Sequence, residues 1–139
     1  MDCLFCDVVT GERDAFPVLN TADLVAFLDH RPVFKGHVLL VTKRHVETLT
    51  DLPDDLLVAL FTATRRVAAA VCEALGAQGS FVAINNVVSQ GVPHLHVHVV
   101  PRTKGDGLRG FFWPRTTYSD DAEAWTYADR LRQALDAQN

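Results

Sequence analysis

Three histidines, His94, His96 and His98, occupy alternate positions within the apolar run 90–101. Because a β-strand sends successive side chains to opposite faces, this spacing predicts a strand with three imidazoles on one face. Imidazole has an unperturbed pKa of about 6.5, and its ring nitrogens can attack, donate, accept or bind a metal ion. The pattern therefore predicts catalysis or metal binding, on a strand whose other face is aliphatic: Leu95, Val97 and Val99.

Two cysteines near the start of the chain have the spacing of a metal or redox site, since two residues separate Cys3 from Cys6. A metal ion would need two further ligands, and by residue type the candidates are His45 and His94. This closed Cys2His2 set would hold structural zinc rather than a catalytic ion. Sequence spacing alone does not establish the site, and the alternative is reduced thiols with His45 at the surface.

Length and composition indicate one domain that folds in water. The chain has 139 residues, of which 48% are hydrophobic and 22% charged, as in ordinary globular proteins. A formal net charge of −4 argues against a nucleic-acid binder that neutralises phosphates. The sequence shows neither a secretory signal nor an apolar stretch of about 18 residues. We therefore expect a cytoplasmic protein with no membrane or nucleic-acid partner.

Hydrophobic periodicity predicts an α+β fold, in which helices cover an antiparallel sheet of about five strands. A helix is predicted from the capping residues 50–55 to Gly76, because apolar residues recur at intervals of three and four. A second helix is predicted at about 120–137, after a glycine-rich surface loop at 103–110. The apolar cluster at 111–113 could be core, a dimer contact or a pocket lid. Strands are predicted at 24–29, 37–42, 80–85 and 94–101.

These segments together resemble the histidine triad (HIT) family, whose signature is similar to the His-x-His-x-His-x-x pattern in 90–101. The resemblance implies a single HIT domain over 1–139, with a core at about 1–102 and a C-terminal loop and helix at about 103–139. It also implies the zinc-bearing bacterial-type branch, a homodimer, and action at the α-phosphate of a purine nucleotide derivative. Further motifs occur in the family's order: Cys3-Leu4-Phe5-Cys6, Ala26-Phe27-Leu28-Asp29, Lys35-Gly36-His37, Lys43-Arg44-His45 and Ile84-Asn85-Asn86.

The resemblance assigns a different role to each triad histidine. His96 is expected to be the nucleophile that forms a nucleotidyl-imidazole, which divides one difficult displacement into two easier steps. His98 is expected to bind the phosphate oxygens beside backbone amides. His94 is expected to bind zinc, which would position the N-terminus rather than act as a Lewis acid. The expected zinc ligands are Cys3, Cys6, His45 and His94.

The resemblance also predicts a nucleotide site. Asp29 is expected to accept hydrogen bonds from the ribose hydroxyls, although an aspartate at a strand end is also typical of turns. Asn85 and Gln90 are expected near the phosphate and ribose. Apolar side chains can stack on a purine, and those expected to do so are Leu4, Phe5, Val8 and Phe27.

Three positions depart from the family pattern. Gly91 stands where many relatives have serine or threonine, so we expect protonation of the leaving group to differ. The loop 86–89 is shorter than in many relatives, so we expect rearranged phosphate contacts there. His30 replaces a common aliphatic residue beside the base, which we expect to alter base preference.

The function that the resemblance favours is hydrolysis of nucleoside phosphoramidates or dinucleoside polyphosphates. A nucleotidyltransferase or phosphorylase is the nearest alternative, but relatives of that kind usually have glutamine in place of the last triad histidine, so His98 favours hydrolysis. A non-catalytic nucleotide-binding scaffold is a second alternative. A redox or metal-handling protein, in which all three triad histidines bind metal, is a third.

Overall fold

The computed structural model describes residues 2–109 and 115–138. Two compact units are present, Met1–Asp106 and Gly107–Asn139. The apolar cluster 111–113 lies outside the described residues, so the alternatives proposed for it stay predictions. The first unit carries every residue expected to bind a metal ion or a nucleotide.

The first unit contains two helices, a short 3-10 turn and five strands, and it confirms the α+β prediction. The predicted strands and the predicted long helix are present, with ends shifted by a few residues. Neither α1 nor β1 had been predicted from the sequence. The elements are α1 (Leu4–Thr10), β1 (Pro17–Asn20), β2 (Leu24–Leu28), β3 (Val38–Thr42), the 3-10 turn (Leu49–Asp51), α2 (Asp54–Leu75), β4 (Gly79–Ala83) and β5 (His96–Arg102).

The five strands form one antiparallel sheet in the order β1-β2-β3-β5-β4. Strand β5, which carries the histidines, therefore lies between β3 and β4. Its register with β3 places Leu39 opposite His98 and Val41 opposite His96. His98 is thus paired with β3 on one side and with Ala83 of β4 on the other, whereas His96 is paired with β3.

The three central strands of the sheet, β2, β3 and β5, are mostly buried on both faces, and the side chains of β3 alternate between two cores. Val38 and Leu40 pack with residues of α2, whereas Leu39 and Val41 pack with Phe5 of α1. The aliphatic residues of the histidine segment lie in the α2 core, which confirms the predicted apolar backing: Leu95, Val97 and Val99. By alternation, His96 and His98 lie on the face that α1 partly covers.

Helix α2 begins after Pro53, whose backbone is extended, and ends where Gly76 adopts a left-handed conformation with φ 69°. Glycine takes this conformation without steric cost, and the Gly76 amide donates to the Cys72 carbonyl. The apolar stripe that predicted the helix is its buried face: Leu56, Leu60, Ala63, Val67 and Val71.

The second unit contains α3 (Asp121–Asp136), which confirms the predicted C-terminal helix. The Asp120 carboxylate accepts a hydrogen bond of 2.8 Å from the Glu123 amide and so caps the first turn. Within the described residues, no helix combines the length and apolar character needed to cross a membrane.

Candidate functional site

A cavity of 550 Å³ lies on the α1 face of the sheet, and His96 and His98 line it. Its other walls are α1, the end of β2 and the loop between β4 and β5. His96 is buried and His98 partly buried. Two neighbouring imidazoles on one strand therefore face a space large enough for a small-molecule ligand.

The expectation that all three histidines lie within the strand was wrong for His94. Strand β5 begins at His96. His94 precedes the strand in a bend, in which the His94 amide donates to the Val92 carbonyl. The Leu95 amide donates to the Val46 carbonyl, outside the strand ladder. This bend turns the fully buried His94 ring toward Cys3 and Cys6 instead of into the cavity.

A backbone hydrogen bond fixes the proton of His96. Its Nδ1 lies 2.7 Å from the carbonyl oxygen of His94. Because a carbonyl can only accept, Nδ1 carries the proton and donates it, which leaves the lone pair on Nε2. The ring of Phe5 packs edge-on against His96, with centroids 5.0 Å apart, and limits its rotation. The His96 ring is thus held in the tautomer that a nucleophile requires.

His98 is oriented by a histidine that had not been predicted as a site residue. The Val33 amide donates to Nδ1 of His37 over 3.1 Å, so the ring proton of His37 lies on Nε2. His37 Nε2 lies 3.0 Å from Nδ1 of His98 and donates to it. His98 consequently carries its own proton on Nε2, where it can be donated to a ligand.

Burial lowers the pKa of two histidines beside the cavity, His98 and His37. The pKa of His98 is lowered to about 4, first by burial and then by the neighbouring His96 and His37 rings, while the Asp29 carboxylate opposes the shift. Burial also lowers the pKa of His37. His98 is therefore a neutral hydrogen-bond donor near pH 7 rather than a cation.

The expected metal ligands form one cluster, in which all four donor atoms lie within 4.8 Å of one another. His94 Nδ1 lies 3.4 Å from Cys3 Sγ and 3.5 Å from Cys6 Sγ, and His45 Nδ1 lies 3.3 Å from Cys6 Sγ. In a tetrahedral zinc site, sulfur and nitrogen ligands are about 3.5 Å apart. These separations fit a tetrahedral metal ion.

The protonation of His94 also fits a metal ligand. Its Nε2 lies 2.7 Å from the Thr42 carbonyl and donates to it, so the Nδ1 lone pair points toward the sulfurs. Burial, reinforced by the neighbouring Cys3 and Asp7, raises the pKa of the Cys6 thiol to about 11. A metal ion would have to displace the thiol proton, so binding would weaken on acidification.

A second group of possible ligands, Asp29, His37 and His98, is also compact. This group fits a metal ion less well than the cluster of cysteines and histidines does. The Val33 amide donates to Nδ1 of His37, so the ring proton of His37 lies on Nε2. A metal ion at Nε2 would have to displace this proton, and Nδ1 cannot take it while it accepts the hydrogen bond from Val33. The geometry instead matches the hydrogen bond between the two histidines.

Eight of the nine residues expected to be catalytic or to bind nucleotide line the cavity. Gln90 is the exception: its amide group accepts from the Val87 amide and donates to the Glu47 carbonyl, so it fastens the loop. Its expected phosphate contact stays a prediction. The residues that do line the cavity are Leu4, Phe5, Val8, Phe27, Asp29, Asn85, His96 and His98.

Asp29 forms the predicted turn and also lines the cavity, and its expected ribose contact stays a prediction. Its Oδ1 accepts a hydrogen bond of 2.9 Å from the Arg31 amide, as in a turn. Its Oδ2 lies 3.7 Å from His37 Nε2, beyond hydrogen-bonding distance. One carboxylate oxygen of Asp29 is therefore bonded within the turn, and the side chain still lines the cavity.

Other cavity residues had not been expected from the sequence. Arg13 and Asp14 lie in the connection between α1 and β1, and Ser89 lies in the loop before β5. The motif Lys35-Gly36-His37 contained a signal for His37, but only the register of β3 with β5 shows that it reaches His98. Arg13 and Asp14 carried no such signal.

A separate apolar cavity of 540 Å³ lies between α2 and strands β1 to β3. Among the residues that the structure describes, Lys35 and Arg66 are the charged ones that line it, and no histidine, cysteine or carboxylate of these residues does. The groups able to perform acid–base or nucleophilic chemistry are therefore concentrated on the α1 face.

Comparison with known proteins found a matching family and several relatives. A family model for the HIT domain matches residues 10–105. An uncharacterized HIT-like protein of Methanocaldococcus jannaschii is 38% identical over 107 residues, which are 76% of this chain and 82% of that protein. The adenosine 5′-monophosphoramidase of Schizosaccharomyces pombe is 31% identical over 116 residues, 82% of this chain and 84% of the yeast protein.

A solved structure shares the fold. The crystal structure of a zinc-bound histidine triad family protein from Mycobacterium smegmatis superposes with a TM-score of 0.74 at 32% identity. The match covers 100% of this chain and 99% of the mycobacterial chain.

Proposed function

The chain belongs to the HIT domain family, and on that premise we propose that it hydrolyses nucleoside 5′-phosphate derivatives at the α-phosphate through a covalent nucleotidyl-His96 intermediate. Nucleoside phosphoramidates and dinucleoside polyphosphates are the candidate substrates. The similarity to a yeast adenosine 5′-monophosphoramidase supports the first class. The purine would lie among Leu4, Phe5, Val8 and Phe27.

The observation that carries the proposal is the hydrogen bond between His96 Nδ1 and the His94 carbonyl. This bond places the nucleophilic lone pair on Nε2, and the His96 side chain lines the cavity. The donor needed for the phosphate comes from His98, because His37 fixes the His98 proton on Nε2. A nucleophile and a donor are thus set side by side before substrate arrives, as electrostatic preorganisation requires.

In the first step, the Nε2 lone pair of His96 attacks the α-phosphorus and forms the N–P bond. The bond to the leaving group breaks, and that group departs with the electron pair and takes a proton from water. The neutral His98 donates a hydrogen bond to the charge that develops on oxygen. Water then attacks the nucleotidyl-His96, releases the nucleoside monophosphate and restores the free imidazole.

We also propose that Cys3, Cys6, His45 and His94 hold structural zinc. The closed set of four protein ligands leaves no position for substrate, so the ion would supply structural cross-linking rather than chemistry. His94 is the residue whose carbonyl accepts from His96. Ligation of His94 would therefore stabilise the backbone group that orients the nucleophile.

The test is to trap the intermediate. Purified protein is mixed with adenosine 5′-phosphoramidate, quenched within milliseconds, and analysed by intact mass and peptide mapping. We expect one nucleotidyl group on His96 and release of AMP on longer incubation. The His96→Ala variant should form no adduct and should lose turnover by at least about 10³-fold.

A matched control is His45→Ala, which removes a ring of the metal cluster and leaves His96 in place. It should still form the adduct. If the unaltered protein forms no adduct with either a phosphoramidate or a dinucleoside polyphosphate, or if His96→Ala retains turnover, the proposal is wrong.

A further inference from the structure

Two charged residues lie at one end of the nucleotide cavity. Arg13 and Asp14 line this cavity and also a second cavity of 320 Å³, and they share both walls with Val8 and Phe27. The histidines of β5 line the first cavity and not the second. Arg13 and Asp14 therefore lie at the end where the purine is proposed to bind, away from the proposed nucleophile.

The register of the sheet separates this end from the histidines. One row of directly paired residues crosses β5, β3, β2 and β1: His98, Leu39, Phe27 and Pro17. Adjacent strands are about 4.8 Å apart, so three spacings make the row about 14 Å long. The connection between α1 and β1 joins the row at Pro17. A nucleotide whose phosphate lies at the histidines therefore directs its base along the row toward this connection.

The backbone that carries the two charged residues is held at both ends. The Arg13 amide donates to the Asp7 carbonyl of α1 over 3.1 Å. The Phe16 carbonyl accepts from the Leu28 amide of β2 over 3.0 Å. Arg13 and Asp14 are thus carried on backbone that is fixed to two walls of the cavity, which favours recognition of a ligand.

The polar atoms of both side chains are available to a ligand. Arg13 and Asp14 are exposed, and within residues 2–109 and 115–138 neither side chain has a hydrogen bond or an ion pair. A guanidinium offers five N–H donors, and a carboxylate offers two acceptor oxygens. The apolar pocket thus has one group that only donates and one that only accepts at its edge.

This pair of charged groups fits guanine better than adenine. Guanine presents O6 and N7 as acceptors, and N1–H and the 2-amino group as donors, whereas adenine has a 6-amino donor and no 2-amino group. A guanidinium can donate to O6 and N7, and a carboxylate can accept from N1–H and the 2-amino group together. Adenine would place its 6-amino group against the guanidinium and the N1 lone pair against the carboxylate.

We propose that Arg13 and Asp14 recognise the edge of the base and make guanosine derivatives the preferred substrates. This inference rests on the proposed hydrolysis of nucleoside 5′-phosphate derivatives and deepens it, because it names the base. Aliphatic and aromatic side chains stack on either purine, so the preference comes from the two charged residues. Both contacts persist from the bound substrate to the transition state, so they act on KM more than on kcat.

Three substrates test the assignment: the 5′-phosphoramidates of guanosine, inosine and adenosine. Inosine retains O6 and N1–H but lacks the 2-amino group, so it separates the contact of Asp14 from that of Arg13. We expect kcat/KM to fall about tenfold from guanosine to adenosine, the order that one bidentate contact supplies, with inosine between them. Asp14→Asn should remove most of the preference for guanosine over inosine, and Arg13→Met most of the preference for inosine over adenosine.

The matched control is Glu12→Gln, which removes a carboxylate from the same connection. Glu12 is exposed and lines neither cavity, so this variant should keep the substrate order. The inference is wrong if the unaltered protein does not prefer guanosine, or if Arg13→Met and Asp14→Asn lower kcat/KM equally on all three substrates. It is also wrong if Glu12→Gln reduces the guanosine preference as much as Asp14→Asn does.

The covalent adduct distinguishes failure of this inference from failure of the proposed function. Absence of a nucleotidyl-His96 with all three substrates would overturn the proposed mechanism and this inference together. Formation of the adduct with equal kcat/KM for guanosine and adenosine would overturn the inference alone.

Discussion

His37 Nε2 lies 3.0 Å from His98 Nδ1, and this hydrogen bond links a buried ring on the loop before β3 to the proposed phosphate donor on β5. The direction of the bond follows from Val33, whose amide occupies the other nitrogen of His37. A backbone N–H thus determines, through two rings, that His98 presents an N–H to the cavity. His37 is a positioning residue, because it acts through His98.

Replacing His37 by leucine should lower kcat by about 10- to 100-fold, the usual effect of removing a group that orients a site residue. Without His37, the ring proton of His98 would no longer be fixed on Nε2. The nucleotide pocket would be intact, so KM should change little. His37→Gln retains an N–H donor and should recover most of kcat. Steady-state kinetics of both variants check this. Equal losses in the two variants, or a rise in KM with kcat unchanged, would contradict the positioning role.

Acid should destabilise the protein between about pH 6.5 and pH 4. The pKa of His98 is lowered to about 4 in the folded chain, chiefly by burial, whereas an unfolded histidine titrates near 6.5. Between these two pKa values the unfolded chain binds more protons than the folded chain, so the free energy of unfolding falls as pH falls. Above about pH 7, the free energy of unfolding no longer depends on His98.

Thermal unfolding followed at pH 7.5, 6.5, 5.5 and 4.5 checks this expectation, with chelator present throughout so that metal loss does not contribute. The His98→Gln variant is the matched control, since it cannot titrate. Its unfolding temperature should fall less steeply over the same range. A variant slope equal to that of the unaltered protein would show that other groups cause the acid sensitivity.

Local patterns in the sequence predicted much of the fold. Helix α2 was predictable because its apolar stripe has helical spacing and ends at a glycine, and β5 because its residues alternate. Helix α1 was missed, since its seven residues are too few for a periodic signal. Strand β1 was missed because only four residues form it and most are exposed.

The site was less predictable than the fold, because long-range register decides it. Motifs pointed to His96 and to the proposed metal ligands, but they did not show that His94 precedes the strand. The pairing of Leu39 with His98, which brings His37 into reach, is a property of the sheet and not of either segment. Ser89 lines the cavity but belongs to no recognised motif, and it has a left-handed backbone in a loop whose Gln90 and Asn86 side chains bond to the backbone.

Cys6→Ser should abolish zinc binding. The four clustered ligands fit about one zinc ion per chain, and a serine oxygen is a poor replacement for thiolate. The unfolding temperature should fall with the metal content, because structural metal binding stabilises the folded state. Atomic emission of the dialysed protein measures the zinc. Cys72→Ser, outside the cluster, should keep its zinc, and retention of zinc by Cys6→Ser would contradict the assignment.

Asp29→Asn should remove discrimination between ribonucleotides and 2′-deoxyribonucleotides. Asparagine keeps an oxygen for the Arg31 amide, so the turn should survive, but the second atom changes from a charged acceptor to an amide donor. A hydrogen bond to a charged group is worth enough for a preference of about tenfold in kcat/KM. We expect the unaltered protein to prefer adenosine over 2′-deoxyadenosine phosphoramidate by this factor and Asp29→Asn to show none. An effect of Asp29→Asn that acts through His37 would lower kcat/KM for the deoxy substrate as well. An equal loss of kcat/KM on both substrates would therefore contradict ribose binding by Asp29.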